Sequence, residues 1–99
     1  MSVAYYSKTP NTTLEQVNRV RAFIREQLAG RDVPSDGGLF HADGPTDDGG
    51  WWSFDLFEAD EHFTRWHEDV TAPAFAQAGM EVQFRRLEVD WDSTQGVPG

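Results

Sequence analysis

Residues 51–57 read Trp-Trp-Ser-Phe-Asp-Leu-Phe and follow Gly44-Pro45-Thr46-Asp47-Asp48-Gly49-Gly50, a juxtaposition that limits the possible folds more than any other feature of the chain. Pro presets φ, Asp bonds its own backbone and Gly accepts left-handed φ, so the second stretch is a turn. An aromatic run after a turn is a strand, and Gly38-Leu39-Phe40-His41-Ala42 supplies its partner. Residues 38–57 are therefore expected to form an antiparallel hairpin. Side chains alternate along strands. Leu39, His41, Trp51, Ser53, Asp55 and Phe57 share one face, and Phe40, Ala42, Trp52, Phe54 and Leu56 the other. With the turn near Asp47, His41 falls opposite Ser53 or Asp55.

The flanking segments complete the order of elements. Val3 to Lys8 is short, β-branched and aromatic, and stops at Thr9-Pro10-Asn11. Thr12 with Glu15 three places on fits a capping box. Leu14, Val17, Val20, Ile24 and Leu28 then recur every three or four residues, which predicts an amphipathic helix closed by Gly30. Arg31 to Gly38 reads as a loop. Asp60 can cap a second helix through Phe63, Trp66 and Val70. Thr71 and Pro73 look like a fresh start for a short helix ending at Gly79. Val82 to Val89, reaching toward Trp91, is a fourth strand. The sum is β-α-β-β-α-β, a ferredoxin-like α+β domain: a four-stranded antiparallel sheet with helices on one face.

Such a sheet leaves its other face bare. That face would carry Phe40, Trp52, Phe54 and Leu56, a patch too apolar for water, so a homodimer formed sheet to sheet is expected. Seven Phe, four Trp and two Tyr in 99 residues exceed what a core this small needs, so some aromatics should face a partner chain or a ligand. One domain over 1–92, followed by a flexible tail over 93–99, accounts for the length. Eight Lys+Arg against 17 Asp+Glu give a net charge of −9. That balance argues against nucleic acid and anionic membranes as partners. There is no cysteine, hence no disulfide, thiolate nucleophile or Cys-based zinc site. No apolar run approaches the length of a membrane span and no leader is evident, so a cytoplasmic location is expected.

The stretch His41-x-x-Gly44-Pro45-Thr46-Asp47-x-Gly49-Gly50-Trp51, then Asp55-x-Phe57-Glu58-x-x-x-x-Phe63, then Pro73-x-x-x-x-Ala78-Gly79, resembles the small dimeric α+β barrel proteins related to antibiotic-biosynthesis monooxygenases. The resemblance implies a homodimeric barrel and, in one branch, oxygenation of an aromatic or polyketide-like substrate with no metal, flavin or other cofactor. It also sets expectations that this chain departs from. The anthrone-oxidising branch carries an Asn on the third strand and, four residues later, a Trp before a Glu; here Ser53 and Phe57 stand there, followed by Glu58. The haem-degrading branch expects an Asn on the first strand, a Trp on the second helix and a His about ten residues on. Trp66 fits, but the first strand has no Asn and Phe75, Ala76 and Gln77 occupy the His region.

The family places its reactive strand residues between sheet and helices, so the odd-numbered set would look into that space. His41, Asp55 and Ser53 would then converge among Trp51, Phe57, Phe63 and Trp66. A carboxylate on one imidazole nitrogen makes the other a better base, which casts His41 as base, Asp55 as its orienter and Ser53 as hydrogen-bond donor. The competing reading is a satisfied structural pair in a non-catalytic dimeric module that binds a ligand or only packs. His62 and His67, five apart on a helix, cannot share a metal. Adjacent Arg85 and Arg86 must point to opposite faces, one of them toward a rim salt bridge or an anionic substrate. Asp43, Asp47 and Asp48 lack calcium-loop spacing and read as turn residues. The paired glycines lack the context of a nucleotide cradle.

Overall fold

The computed structural model describes residues 2–28 and 37–96. Its elements are β1 (Val3–Thr9), α1 (Leu14–Gln27), β2 (Gly38–Pro45), β3 (Trp51–Phe57), α2 (Asp60–Trp66), a π-helical turn (His67–Thr71), α3 (Ala72–Gln77) and β4 (Phe84–Glu88). The strands lie in the order β2-β3-β1-β4 with every neighbouring pair antiparallel. This is the four-stranded α+β architecture that the pattern predicts. The helices pack on the side of Val3, Tyr5 and Phe57, which form one buried cluster with Phe63, Trp66 and Phe84. A second cluster joins α1 to α3 through Val20, Ala74 and Ala78.

Local signals shift by a residue or so. The capping box of α1 is Thr13 with Gln16, one place after the expected Thr12 and Glu15. Thr12 is turned inward instead: its hydroxyl donates to the Thr9 carbonyl at 3.1 Å and its N–H to the Gly49 carbonyl at 3.1 Å. It ties the β1–α1 loop to the hairpin turn, which leaves the cap to its neighbour. Leu14 is 58% exposed, so the apolar stripe of α1 starts at Val17. The expected stop at Gly30 lies outside the described residues, as does most of the loop after it.

No fresh cap forms at Thr71. The second helical segment runs on through the π turn into α3. Pro73 explains the widening: it has no N–H to donate one turn back and its ring crowds that turn, which a π turn relieves. The helix ends as expected. Gly79 takes φ +71°, with Gly79 N–H on Ala76 and Met80 N–H on Phe75, the paired bonds of a Schellman motif.

The hairpin is longer than the sequence suggests. Strand β2 extends to Pro45 and the turn shrinks to Thr46–Gly50, closed by Thr46 N–H to the Gly50 carbonyl at 3.0 Å. The irregularity between Gly38 and Phe40 lies upstream of His41, so the register from Phe40 onward is undisturbed. Strand β4 is shorter than 82–89. Past residue 92, Ser93–Gln95 make a 3₁₀ turn capped by Asp92, and Asp92 also accepts a hydrogen bond from Ser2.

The sheet face away from the helices carries Phe40 at 55%, Leu87 at 40% and Tyr6 at 36% exposure. Phe54 and Trp52 beside them are half-buried. Leu56, expected in this open patch, is only 8% exposed and so does not contribute to it. No helix among the described residues is long and apolar enough to cross a membrane.

Candidate functional site

A cavity of about 510 Å³ lies between the helices and the helix side of the sheet. Its floor is built by strand register. Ser7 pairs with Ser53, His41 with Asp55, and Asp43 with Ser53, so their side chains rise from the same face. The Ser7 and Ser53 hydroxyls are bonded to each other. The rest of the lining is mostly apolar: Val17, Val20 and Ile24 from α1, and Phe63, Trp66 and Phe75 from the second helical segment. The polar groups are concentrated on the sheet floor, with Arg21 from α1 and Thr71 from the helical wall as exceptions.

His41 is held from both ends. Its Nδ1 lies 2.6 Å from Asp55 Oδ1 and its Nε2 2.6 Å from Asp43 Oδ2. The Asp55 bond, against partial burial, pushes its pKa up to about 9, with Asp43 adding to the rise. At neutral pH the ring is therefore an imidazolium donating from both nitrogens, and no lone pair is left to take a substrate proton. The hairpin brings His41 and Asp55 together, but the second carboxylate changes the chemistry open to them. A base role for His41 does not fit this arrangement.

Asp43 is the residue that sequence reasoning misplaced. Read as a turn former, it sits in β2 and on the cavity floor. Its Oδ1 accepts from Trp51 Nε1 at 2.9 Å and from Arg21 Nη2 at 2.8 Å, while Oδ2 faces His41. Burial opposes its ionisation, yet the Trp51 indole, His41 and Arg21 together hold it below the usual carboxylate range. Its position two residues after His41 was the available signal, since that spacing puts both on one strand face. The Arg21 guanidinium also lies 5.9 Å over the Trp51 ring, so α1, β2 and β3 are joined at this end of the cavity.

The expected aromatic wall is present and serves two purposes. Phe57 is 3% exposed and packs edge-on to Tyr5 and Phe63. Phe63 stacks on Tyr5 with ring centroids 3.6 Å apart. Trp66 lines the cavity and also covers the Val3 cluster. His62 is not part of the lining; its ring packs over Gly37, where a Cβ would run into it. Arg86 makes a two-pronged bond to Asp60 at 2.8 and 3.1 Å, and Asp60 also accepts the Tyr5 hydroxyl. The rim salt bridge is what β4 provides.

No protein-family model and no curated protein matches the sequence. Solved structures do. SnoaB, a cofactor-independent oxygenase from Streptomyces nogalater, superposes with a TM-score of 0.64 at 13% identity over 93% of this chain and 96% of that one. The chain has the fold of antibiotic-biosynthesis monooxygenase-like proteins. A protein from Chloroflexus aurantiacus provisionally assigned as an antibiotic biosynthesis monooxygenase gives a TM-score of 0.62 at 12% identity, covering 94% of this chain and 98% of that one. A dimeric ferredoxin-like protein from Thermobifida fusca gives 0.61 at 14%, covering 90% and 92%. Identities this low establish the monooxygenase-like fold and carry no activity with them.

Proposed function

We propose that the chain binds a planar aromatic or polyketide-like small molecule in this cavity and oxidises it with molecular oxygen, without a cofactor, as a homodimer. One observation carries the reading: an apolar and aromatic cavity whose polar groups gather mainly on the sheet floor, the arrangement that holds a flat molecule by its faces and orients it by a polar edge. Ser53 offers a hydroxyl to that edge, and Asp55, fixed by the His41 imidazolium, offers a carboxylate. Trp66, Phe63, Trp51 and Phe57 contribute the walls. A phenolic or enolisable substrate that loses its proton becomes an electron-rich anion able to react with oxygen unaided. The SnoaB fold match supports this chemistry by analogy.

The test is titration of metal-free protein with an anthrone, following tryptophan fluorescence and then oxygen uptake. Saturable quenching with uptake matching product is the expected result. Absence of saturable quenching rejects the pocket as a binding site. A second reading, a non-catalytic dimeric binding module, is favoured by the engagement of both His41 nitrogens. Quenching with no oxygen uptake would select it.

A further inference from the structure

Both His41 nitrogens are taken up by carboxylates, so that ring offers no lone pair to a proton leaving a bound ligand. The π-helical turn in the opposite wall supplies one. His67 Nδ1 lies 2.8 Å from Thr71 Oγ1. Thr71 is 8% exposed and lines the cavity. The His67 ring lies parallel to Phe63 at 5.4 Å, edge-on to Phe84 at 5.3 Å and tilted against Phe75 at 6.3 Å. Those three aromatics are themselves part of the cavity lining. Burial among them holds His67 below the ordinary histidine value, against a weaker upward pull from Glu68, so its ring is neutral at pH 7. The contrast with His41 is a matter of surroundings: carboxylates on one, aromatic rings on the other.

We propose that Thr71 and His67 form a proton-accepting pair for a hydroxyl group of an aromatic ligand held in the cavity, an inference that rests on the binding reading above. The ligand O–H bond breaks and its proton passes to Thr71 Oγ1. At the same time the proton of the Thr71 hydroxyl passes to His67 Nδ1, and Nε2 keeps its own. The products are a bound phenolate and an imidazolium, whose mutual attraction across the Thr71 hydroxyl opposes the burial that keeps the ligand-free ring neutral. No electron moves in this step. The pair prepares the anion that the proposed oxidation consumes.

The probe is 2-naphthol, whose phenolate absorbs at longer wavelength than the neutral phenol. Its methyl ether, which cannot ionise, serves as the control. Binding is read by tryptophan quenching and ionisation by absorbance, in the wild-type protein and in Thr71→Val, Thr71→Ser and His67→Gln. The wild type and Thr71→Ser should ionise bound naphthol at a lower pH than in free solution. Thr71→Val and His67→Gln should cut the ionised fraction at a given pH roughly tenfold, the equivalent of one pKa unit. The methyl ether should still quench all four proteins, so a variant that binds it yet fails to ionise naphthol has lost the proton step and not the pocket. Bound naphthol that ionises equally in Thr71→Val overturns the pair while leaving the pocket intact. Naphthol that fails to quench the wild type overturns the pocket, and the pair with it. Should His67→Gln fail to fold, the Thr71 variants decide.

Discussion

The two faces of the sheet are built from the same strands and differ in almost every other respect. On the helix side the polar groups are paired with one another: Ser7 with Ser53, His41 with Asp55 and Asp43, and Asp43 with Trp51 and Arg21. On the far side Phe40 and Phe54 meet edge to face at 6.2 Å, with Tyr6 and Leu87 open to solvent. Period-two alternation alone separates the two. One face is a walled space of small-molecule size. The other is an exposed apolar surface, the face on which the dimer expected from the sequence would form. A one-residue slip in β3 would exchange them, so the turn at Thr46–Gly50 keeps each set of side chains on its own face.

The largest expected contrast is in stability. Phe57→Ala removes a ring that is 3% exposed and should cost about 3–5 kcal/mol, read from urea denaturation. Phe40→Ala, at 55% exposure, should cost under about 0.5 kcal/mol when measured under conditions where the chain is monomeric. Equal losses would mean that the two faces do not differ as described. Next in size is assembly. Phe40→Arg should lower the mass seen by light scattering from two chains to one with an unchanged circular dichroism spectrum; an unaltered two-chain mass would move the interface away from this face.

Smaller effects sharpen the account of the floor. The folded-state pKa of His41 is raised to about 9 from an ordinary value of 6.5. Its contribution is therefore complete below the unfolded value and is lost as pH climbs through 9. The thermal midpoint should fall between pH 6.5 and pH 10. The fall should be modest, because the His41 side chain is 50% exposed and its pairs are screened. Asp55→Asn should flatten that dependence, and an unchanged slope would assign it to other groups. Smallest of all is Arg19→Ala. Its pair with Glu15, at 2.7 Å, lies on the outer surface of α1, and its loss should stay within about 0.5 kcal/mol.

Most of the fold was legible because its signals are local and repeated. The hairpin followed from turn residues and alternation, α1 from three-to-four spacing, and the helix end at Gly79 from the need for positive φ. The site was legible only in part. Counting back from the turn sets His41 opposite Ser53 or Asp55, and the strand register gives Asp55. The second partner, Asp43, was hidden because composition marks Gly44-Pro45 as turn, whereas the sheet extends β2 through them to Pro45. His67 and Thr71 were hidden for another reason. Thr71 before a proline looks like a helix start, and only the continuous backbone through the π turn brings its hydroxyl to the imidazole.

The claim that one face of the sheet is the ligand surface and the other the docking surface has a direct test: methyl NMR of the protein titrated with 2-naphthol. The account predicts saturable shifts at Val17, Val20, Ile24 and Thr71, around the cavity, with Ala42 and Leu87 on the far face unmoved. Shifts confined to Ala42 and Leu87, with the four cavity methyls silent, would contradict it.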